Sequence, residues 1–298
     1  MITINIKVLS LFDGMSCGQI ALERAGIDVD TYYASEIDKH AIKVTQHNYP
    51  NTVQLGDVRS NKEWKLPNLD LMMAGSPCQD LSRIKSKNRK GLLGDKSSLF
   101  YQFYNALESR NPQYFLLENV VMPDKDENEI SRKLGFYPIE INSRLFSAQD
   151  RKRLYWTNIE IPKLPEINNL TLKDIMHSDV DEKYYYIDDK YTYNEGKRVL
   201  ANLDRYYPNG KMKFTEALAR VYNPKFKSPT LTAVAGGHQQ IKVMDDHGIR
   251  KLTPLEYERL QTVPDNYTSC VSDSQRYKML GNGWTVDVIA HILKGLIL

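Results

Sequence analysis

The sequence predicts an α/β fold: a doubly wound sheet followed by a smaller, mostly β region. Three observations carry that expectation. Short apolar runs alternate with helical stretches from Lys7 to about Asn158, the pattern of parallel strands joined by crossover helices. Five of those runs end, in the same phase, at Phe12, Glu36, Asp57, Cys78 and Glu118. After Asn158 the alternation stops, and residues 159–249 become rich in Tyr, Lys, Asn and Asp.

Taken in order, Lys7–Phe12 is a short β run broken by Asp13-Gly14. Gln19–Ala25 reads as a helix stopped by Gly26, and Thr31–Glu36 as a second strand. Asp38 caps a helix running to Asn48, with Pro50 beyond it. Val53–Leu55 is a third strand before Gly56-Asp57, and Leu69–Ala74 a buried fourth. Gly75 and Pro77 stop that strand, because proline has no N–H for a sheet ladder. Ser97–Ser109 is a helix with Leu99, Phe100, Phe103 and Leu107 on one face, and Gln113–Leu117 is the fifth strand. A helix at Asn128–Leu134 and strands at Phe136–Asn142 and Arg153–Asn158 follow. Beyond the Tyr-rich region, Thr253 caps a helix with Pro254 at its first position, running to Gln261. Trp284–Leu296 reads as an apolar closing helix.

Composition narrows the class. The 298 residues can bury a large core, and 41% hydrophobic with 26% charged residues is ordinary for a globular protein. A net charge of +3 and a pI near 8.5 permit a polyanionic partner without demanding one. No apolar run reaches the ~20 residues of a membrane span, and Met1–Lys7 lacks a signal-peptide pattern. Three widely spaced cysteines, Cys17, Cys78 and Cys270, argue for a reducing compartment and against a disulfide framework or a Cys-rich zinc site.

In an open α/β sheet, strand carboxyl ends form one ligand-binding rim. A glycine turn, acids and a thiol therefore converge. Asp13-Gly14-Met15-Ser16-Cys17-Gly18 opens a helix, where glycines admit a ligand and the helix N-terminus favours a carboxylate or phosphate. It is not the G-x-G-x-x-G pattern, so NAD is not indicated. Glu36 sits where an acid takes ribose hydroxyls, and Asp57 could accept from an adenine amino group. Asp13-Gly14 also reads as a plain turn, and Asp57 as a cap. Cys78 is a nucleophile if its thiolate is favoured, or a small core residue. Glu118 could donate a proton to a bound base. A thiolate adding to an electron-poor ring while an acid protonates a ring nitrogen is sensible chemistry for a pyrimidine. Arg151 and Arg153 alternate onto one face of a strand and suit phosphate, carboxylate or a pyrimidine carbonyl, or form a solvated charge cluster.

Together these residues resemble the cytosine-5 DNA methyltransferase family. The matching stretches are Phe12-Asp13-Gly14 with Gly18, Glu36, Gly56-Asp57-Val58, Pro77-Cys78-Gln79, Leu99-Phe100, Glu118-Asn119-Val120 and Gln149-x-Arg151-x-Arg153. Arg250–Pro254 through Arg259-Leu260-Gln261 and Gly281-Asn282-Gly283 complete the set, in the family's order. The resemblance implies a Rossmann-like methyltransferase sheet, spanning residues 1–158, and a target recognition domain over 159–249. A return segment, 250–298, would end in a helix packed back on the catalytic domain.

The resemblance also implies a mechanism. Cys78 would attack C6 of a cytosine flipped from duplex DNA, with Glu118 on N3 and the amino group. Arg153 would hold O2, and Arg151 would help position the base or Cys78. C5 would take a methyl group from S-adenosylmethionine, leaving S-adenosylhomocysteine, with no metal. The cofactor would meet Phe12, Asp13, Gly14, Ser16, Gly18, Glu36, Ile37, Asp57, Val58, Pro77, Leu99, Asn282 and Trp284. Trp284, with Asp13 and Met15-Ser16-Cys17, resembles the vertebrate de novo branch. DNA would be met by Gln79 and Ser82, by Lys87, Arg89 and Lys90 of a basic loop, and by Arg220, Thr232, Gly236 and Gly237. That loop read alone is a solvated basic segment. A cytoplasmic, bacterial or phage-encoded monomer is expected, with a cognate restriction system as a candidate partner. The alternatives are a transfer-RNA-type cytosine-5 methyltransferase and a DNA-binding regulator with a dead site.

Overall fold

The computed structural model describes residues 5–77, 92, 94, 97–186, 190–194, 196–203, 205, 215–234 and 238–297. Two compact units divide the chain: Met1–Asn142, Lys152–Pro165 and Val286–Leu298 form the first, Ser143–Arg151 and Glu166–Thr285 the second.

The first unit runs β1 (Asn5–Leu11), α1 (Cys17–Ala25), β2 (Asp28–Ser35), α2 (Lys39–Asn48), β3 (Val53–Gln54), β4 (Leu71–Gly75), α3 (Phe100–Arg110), β5 (Tyr114–Val120), α4 (Asp124–Leu134), β6 (Ile139–Asn142) and β7 (Lys152–Thr157). Its seven-stranded sheet has the order β3-β2-β1-β4-β5-β7-β6. The strands β1 to β5 pair parallel. Strand β7 departs from the parallel expectation, because it runs antiparallel to both β5 and β6. The Ser143–Arg151 link is shorter than the ~12 residues a parallel crossover needs, so the chain reverses.

The sheet is buried as parallel sheets are. Leu9, Leu11, Met72, Ala74, Phe100, Phe103, Phe115, Leu117 and Trp156 share one core. Local signals set the helix limits. Gly26 ends α1 in the left-handed region at φ 75°, its N–H reaching the Leu22 and Glu23 carbonyls. Asp38 caps α2 by accepting the His40 N–H at 2.9 Å. Helix α4 begins at Asp124, ahead of the expected Asn128. Its first turn carries Asp124, Asp126 and Glu127, which suit the helix dipole but show no apolar period.

The second unit contains α5 (Leu172–Ile175), β8 (Tyr191–Tyr193), β9 (Val199–Leu203), α6 (Glu216–Ala219), β10 (Arg220–Tyr222), β11 (Lys242–Asp245), β12 (Gly248–Lys251), α7 (Pro254–Leu260) and α8 (Asp273–Asn282). Its five-stranded sheet has the order β12-β11-β10-β9-β8, around Ala201, Leu203, Ala219, Val221 and Ile249. The expected return at residue 250 falls inside this unit. Arg250 lies in β12, fully buried, and pairs with Asp245 at 2.5 Å and Glu256 at 2.8 Å. Thr253 and Glu256 cap α7 reciprocally, with Pro254 at its first position, as the sequence indicates. Helix α8 had no counterpart in the sequence reading.

The chain rejoins the first unit at α9 (Val286–Leu293), followed by a 3₁₀ turn over Lys294–Leu296. The helix α9 packs on α1, with Val286, Ile289, Ile292 and Leu293 fully buried, and Asp287 accepts from Arg24 at 2.6 Å. The 3₁₀ turn fits only because Gly295 lacks a side chain: a Cβ there would lie 2.0 Å from the Glu160 carbonyl oxygen. Gly295→Ala is therefore expected to destabilise the protein by about 1–3 kcal/mol. Urea unfolding should show a lowered midpoint with an unchanged slope.

Candidate active site

The rim of the first sheet begins where β1 ends. Phe12 (φ 57°), Gly14 (φ 61°) and Ser16 (φ 60°) all adopt left-handed conformations. For Phe12 and Ser16 that backbone is strained, a state held where surroundings over-determine it. Asp13 fixes the turn. It accepts from the Tyr32 hydroxyl at 2.7 Å and from the Ser16 hydroxyl, and its N–H donates to the Ser35 carbonyl at 3.1 Å. Burial pushes the Asp13 carboxyl up to about 6; hydroxyls of Ser10, Ser16 and Tyr32 oppose the rise, and Glu36 adds to it.

Glu36 closes β2 and binds the same turn. Its Oε2 accepts the Gly14 N–H at 2.8 Å, and its Oε1 accepts the Ile37 and Asp38 N–H groups at 2.7 and 2.8 Å. Ile37 beside it is an exposed apolar side chain, 70% accessible. No atom lies within 4 Å of where a Gly14 Cβ would stand, so this turn borders open space. Asp57, after β3, caps the 3₁₀ turn Val58–Glu63 and grips the Arg59 guanidinium at 3.0 and 2.5 Å. That hydrogen-bonded guanidinium holds the Asp57 carboxyl below its ordinary range. Val58 is buried beneath.

Gly18 serves packing. It lies inside α1, where a Cβ would meet the Tyr32 hydroxyl at 2.6 Å and Met73 at 2.8 Å. Leu99 ends the 3₁₀ turn before α3 and packs on the core.

The strongest constellation is at the ends of β4, β5 and β7. Register pairs Gly75 with Glu118, and Val120 with Arg153. Glu118, nearly buried, accepts from Arg153 Nε at 2.9 Å. Asn119 donates from Nδ2 to the Ser76 hydroxyl at 2.9 Å. The acid and the guanidinium thus stand beside Gly75-Ser76-Pro77, the backbone that leads into Cys78. Cys78 itself, with Gln79, Ser82, Lys87, Arg89, Lys90, Gly236 and Gly237, lies outside the described residues. The Ser76–Asn119 bond was not anticipated; a serine before Pro-Cys and an asparagine after the acid were its only sequence signal.

The two arginines part company. Arg151 precedes β7 and lies in the second unit. Its buried guanidinium donates to the carbonyls of Leu231 (2.8 Å), Gly281 (3.1 Å) and Gly283 (3.0 Å). Gln261 donates to the Leu280 and Gly283 carbonyls at 2.7 and 2.9 Å, and its Oε1 accepts from Gln149 and Thr285 at 3.0 and 2.9 Å. Gln149 accepts the Leu231 N–H at 2.8 Å. A Cβ on Gly281 would fall 2.2 Å from the Thr232 carbonyl oxygen. This hub fixes the stretch bearing exposed Asn282 and half-buried Trp284 against the segment bearing exposed Thr232. Arg220, on β10, pairs with Glu216 at 2.8 Å.

Arg151→Met would take this donor from the buried Leu231 and Gly281 carbonyls, the Gly283 carbonyl keeping Gln261, and is expected to cost about 2–4 kcal/mol of stability. Arg153→Met leaves the nearly buried Glu118 carboxylate without its guanidinium and should cost about 1–3 kcal/mol. Chemical unfolding of both variants reads the two losses. A second expectation concerns pH. Folding lifts the Asp13 pKa from 3.8 to about 6, so the native state binds the extra proton between those values. Stability from this group is therefore greatest in acid and declines as pH rises through that window. Asp13→Asn should remove the decline in unfolding experiments across pH.

Comparison with known proteins identifies the family. The profile of the family described as "C-5 cytosine-specific DNA methylase" matches residues 6–297. The "Type II methyltransferase M.Bsp6I" of Bacillus sp. (strain RFL6) is 29% identical, over 98% of this chain and 98% of its own. The "Type II methyltransferase M.NlaX" of Neisseria lactamica is 29% identical, over 96% of this chain and 94% of its own. The solved structure of the Entamoeba histolytica methyltransferase EhMeth shares the fold, with a TM-score of 0.74 at 17% identity over 100% of this chain and 98% of that one. A profile match over nearly the whole chain, on a sheet whose rim carries Glu36, Asp57 and the Glu118–Arg153 pair, makes this chain a member of the C-5 cytosine-specific DNA methylase family.

Proposed function

We propose that this chain transfers a methyl group from S-adenosylmethionine to C5 of a cytosine flipped out of duplex DNA, through a covalent bond between Cys78 and C6. The Glu118–Arg153 pair beside the Gly75–Pro77 strand end carries the reading. A pyrimidine presents a ring nitrogen with an amino group and, across the ring, a carbonyl oxygen. An acid next to a guanidinium matches that set. Glu118 holds N3 and the amino group and delivers a proton to N3. Arg153 holds O2. The Cys78 thiolate forms its bond to C6 as electron density moves to N3 and C5 becomes nucleophilic. After methylation water takes the C5 proton, N3 returns its proton to Glu118, and the returning electron pair expels Cys78 as its thiolate.

The donor set of the glycine turn fits S-adenosylmethionine, which supplies an electrophilic methyl group when bound. A carboxylate accepts at about four lone-pair sites; Glu36 uses three on backbone N–H groups. The remaining one is available to a ribose hydroxyl, Ile37 offers an apolar face to an aromatic base, and Asp57 faces an amino group. Phe12, Gly14, Ser16, Gly18, Val58, Pro77, Leu99, Asn282 and Trp284 complete the proposed set, and Asp13 holds the turn. On the DNA side we assign Gln79, Ser82, the basic loop, Arg220, Thr232, Gly236 and Gly237. The bacterial relatives support a bacterial or phage origin, cytoplasmic action and a companion restriction enzyme.

Methyl transfer from labelled S-adenosylmethionine to duplex DNA and to transfer RNA, followed by bisulfite sequencing, tests this reading. Wild type should label DNA cytosines, Cys78→Ala should label none, and Glu118→Gln should be slower by about 10²–10⁴-fold. Label on RNA alone would replace DNA with RNA as the substrate. Duplex binding without label would leave a DNA-binding regulator.

A further inference from the structure

The five-stranded sheet of the second unit carries a charge arrangement that its own stability disfavours. Lys242 opens β11, Lys251 closes β12, and the antiparallel register sets them directly opposite. Like charges in that position destabilise a strand pair. Lys242 is also buried, 1% accessible, with Nζ donating to the carbonyls of His238 at 2.6 Å and Gln240 at 3.2 Å. Both ammonium groups lie over one aromatic ring: Lys242 Nζ is 5.7 Å and Lys251 Nζ 5.5 Å from the centroid of Tyr186. The Tyr186 N–H is fixed to the Ile249 carbonyl at 2.8 Å. Its hydroxyl lies 3.4 Å from Nδ1 of exposed His238.

The acids around this cluster are engaged elsewhere. Asp245 and Glu256 are bound to Arg250. Among the described residues no carboxylate forms an ion pair with Lys251. Burial, with Lys251 adding to it, pushes the Lys242 ammonium down to about 7. One tyrosine ring offsets part of the repulsion. A bound oxyanion would oppose the rest of that repulsion.

We propose that Lys251, His238 and the Tyr186 hydroxyl, backed by Lys242, form a site for a backbone phosphate of the DNA. The proposal rests on the DNA reading above. The site lies directly after Gly236-Gly237 in the chain, and its exposed His238 and Gln239 leave it open to a polymer. Lys251 supplies the charge, His238 and Tyr186 supply directional donors, and Lys242 anchors the 238–240 turn from beneath.

The test is the salt dependence of binding of the full chain to a fluorescent duplex. Neutralising a phosphate contact lowers the steepness of log Kd against log salt by about one. Lys251→Gln is expected to show that change and bind about 10-fold more weakly near ~0.1 M salt, with S-adenosylmethionine binding intact. Lys251→Arg should restore the wild-type slope. His238→Gln, at an exposed position, should weaken binding by about 2–5-fold and serves if Lys251→Gln does not fold. Lys43→Gln, exposed on α2 in the first unit, should leave the slope unchanged. Wild-type slope and affinity in both site variants, or an equal loss in Lys43→Gln, would overturn the site while leaving DNA as substrate. Failure of the wild type to bind duplex at all would overturn both.

Discussion

The backbone register between β5 and β7 is the constraint on which the proposed chemistry depends. It sets Glu118 opposite Tyr155 and Val120 opposite Arg153, so the acid and the guanidinium are diagonal neighbours on one face. Slipping the pairing by one residue would turn Arg153 to the other side of the sheet. Burial holds the register: Leu117 faces Trp156 across the same ladder, and both belong to the central core. The β4–β5 register then brings Gly75 beside Glu118. Apolar packing in the middle of the sheet thus decides which polar groups meet at its rim.

In the second unit polar contacts take over the work of a core. The segments around Leu231 and Gly281–Gly283 lie outside strands, so their carbonyls have no ladder partners. Arg151 and Gln261 supply the donors from the interior, and Gln149 accepts the Leu231 N–H. A satisfied network of this kind fixes one arrangement more strictly than apolar contact does, because each misplaced donor leaves a buried carbonyl bare. Arg250 with Asp245 and Glu256 repeats the device at the edge of the five-stranded sheet.

Much of the first unit was legible because period and punctuation agree there. The strands β1 to β5 appear within a few residues of their sequence limits; Phe12, Glu36 and Asp57 fall just beyond strand ends, while Glu118 lies inside β5, two residues before its end. The direction of β7 was not legible, since a strand's apolar pattern reads the same both ways. Alternation suggested that Arg151 and Arg153 share a face. The strand starts only at Lys152, so Arg151 is free of the pleat and turns to backbone carbonyls. Helix α8 has a polar sequence, and its buried Tyr277, Met279 and Leu280 are too few to announce a stripe. The short strands β8 and β10 carry three residues each, below the length at which alternation means anything.

The division of the chain between its two units also governs when it can fold. The first unit needs α9, near residue 290, to cover α1. The second needs Gly281–Thr285 to complete a hub begun at Ser143, which bonds to Thr285 at 2.9 Å. Contacts this distant in sequence incur a large loop-closure entropy and form slowly. Neither core can close on a nascent chain until residues 281–293 have left the ribosome, so neither unit folds on its N-terminal segments alone.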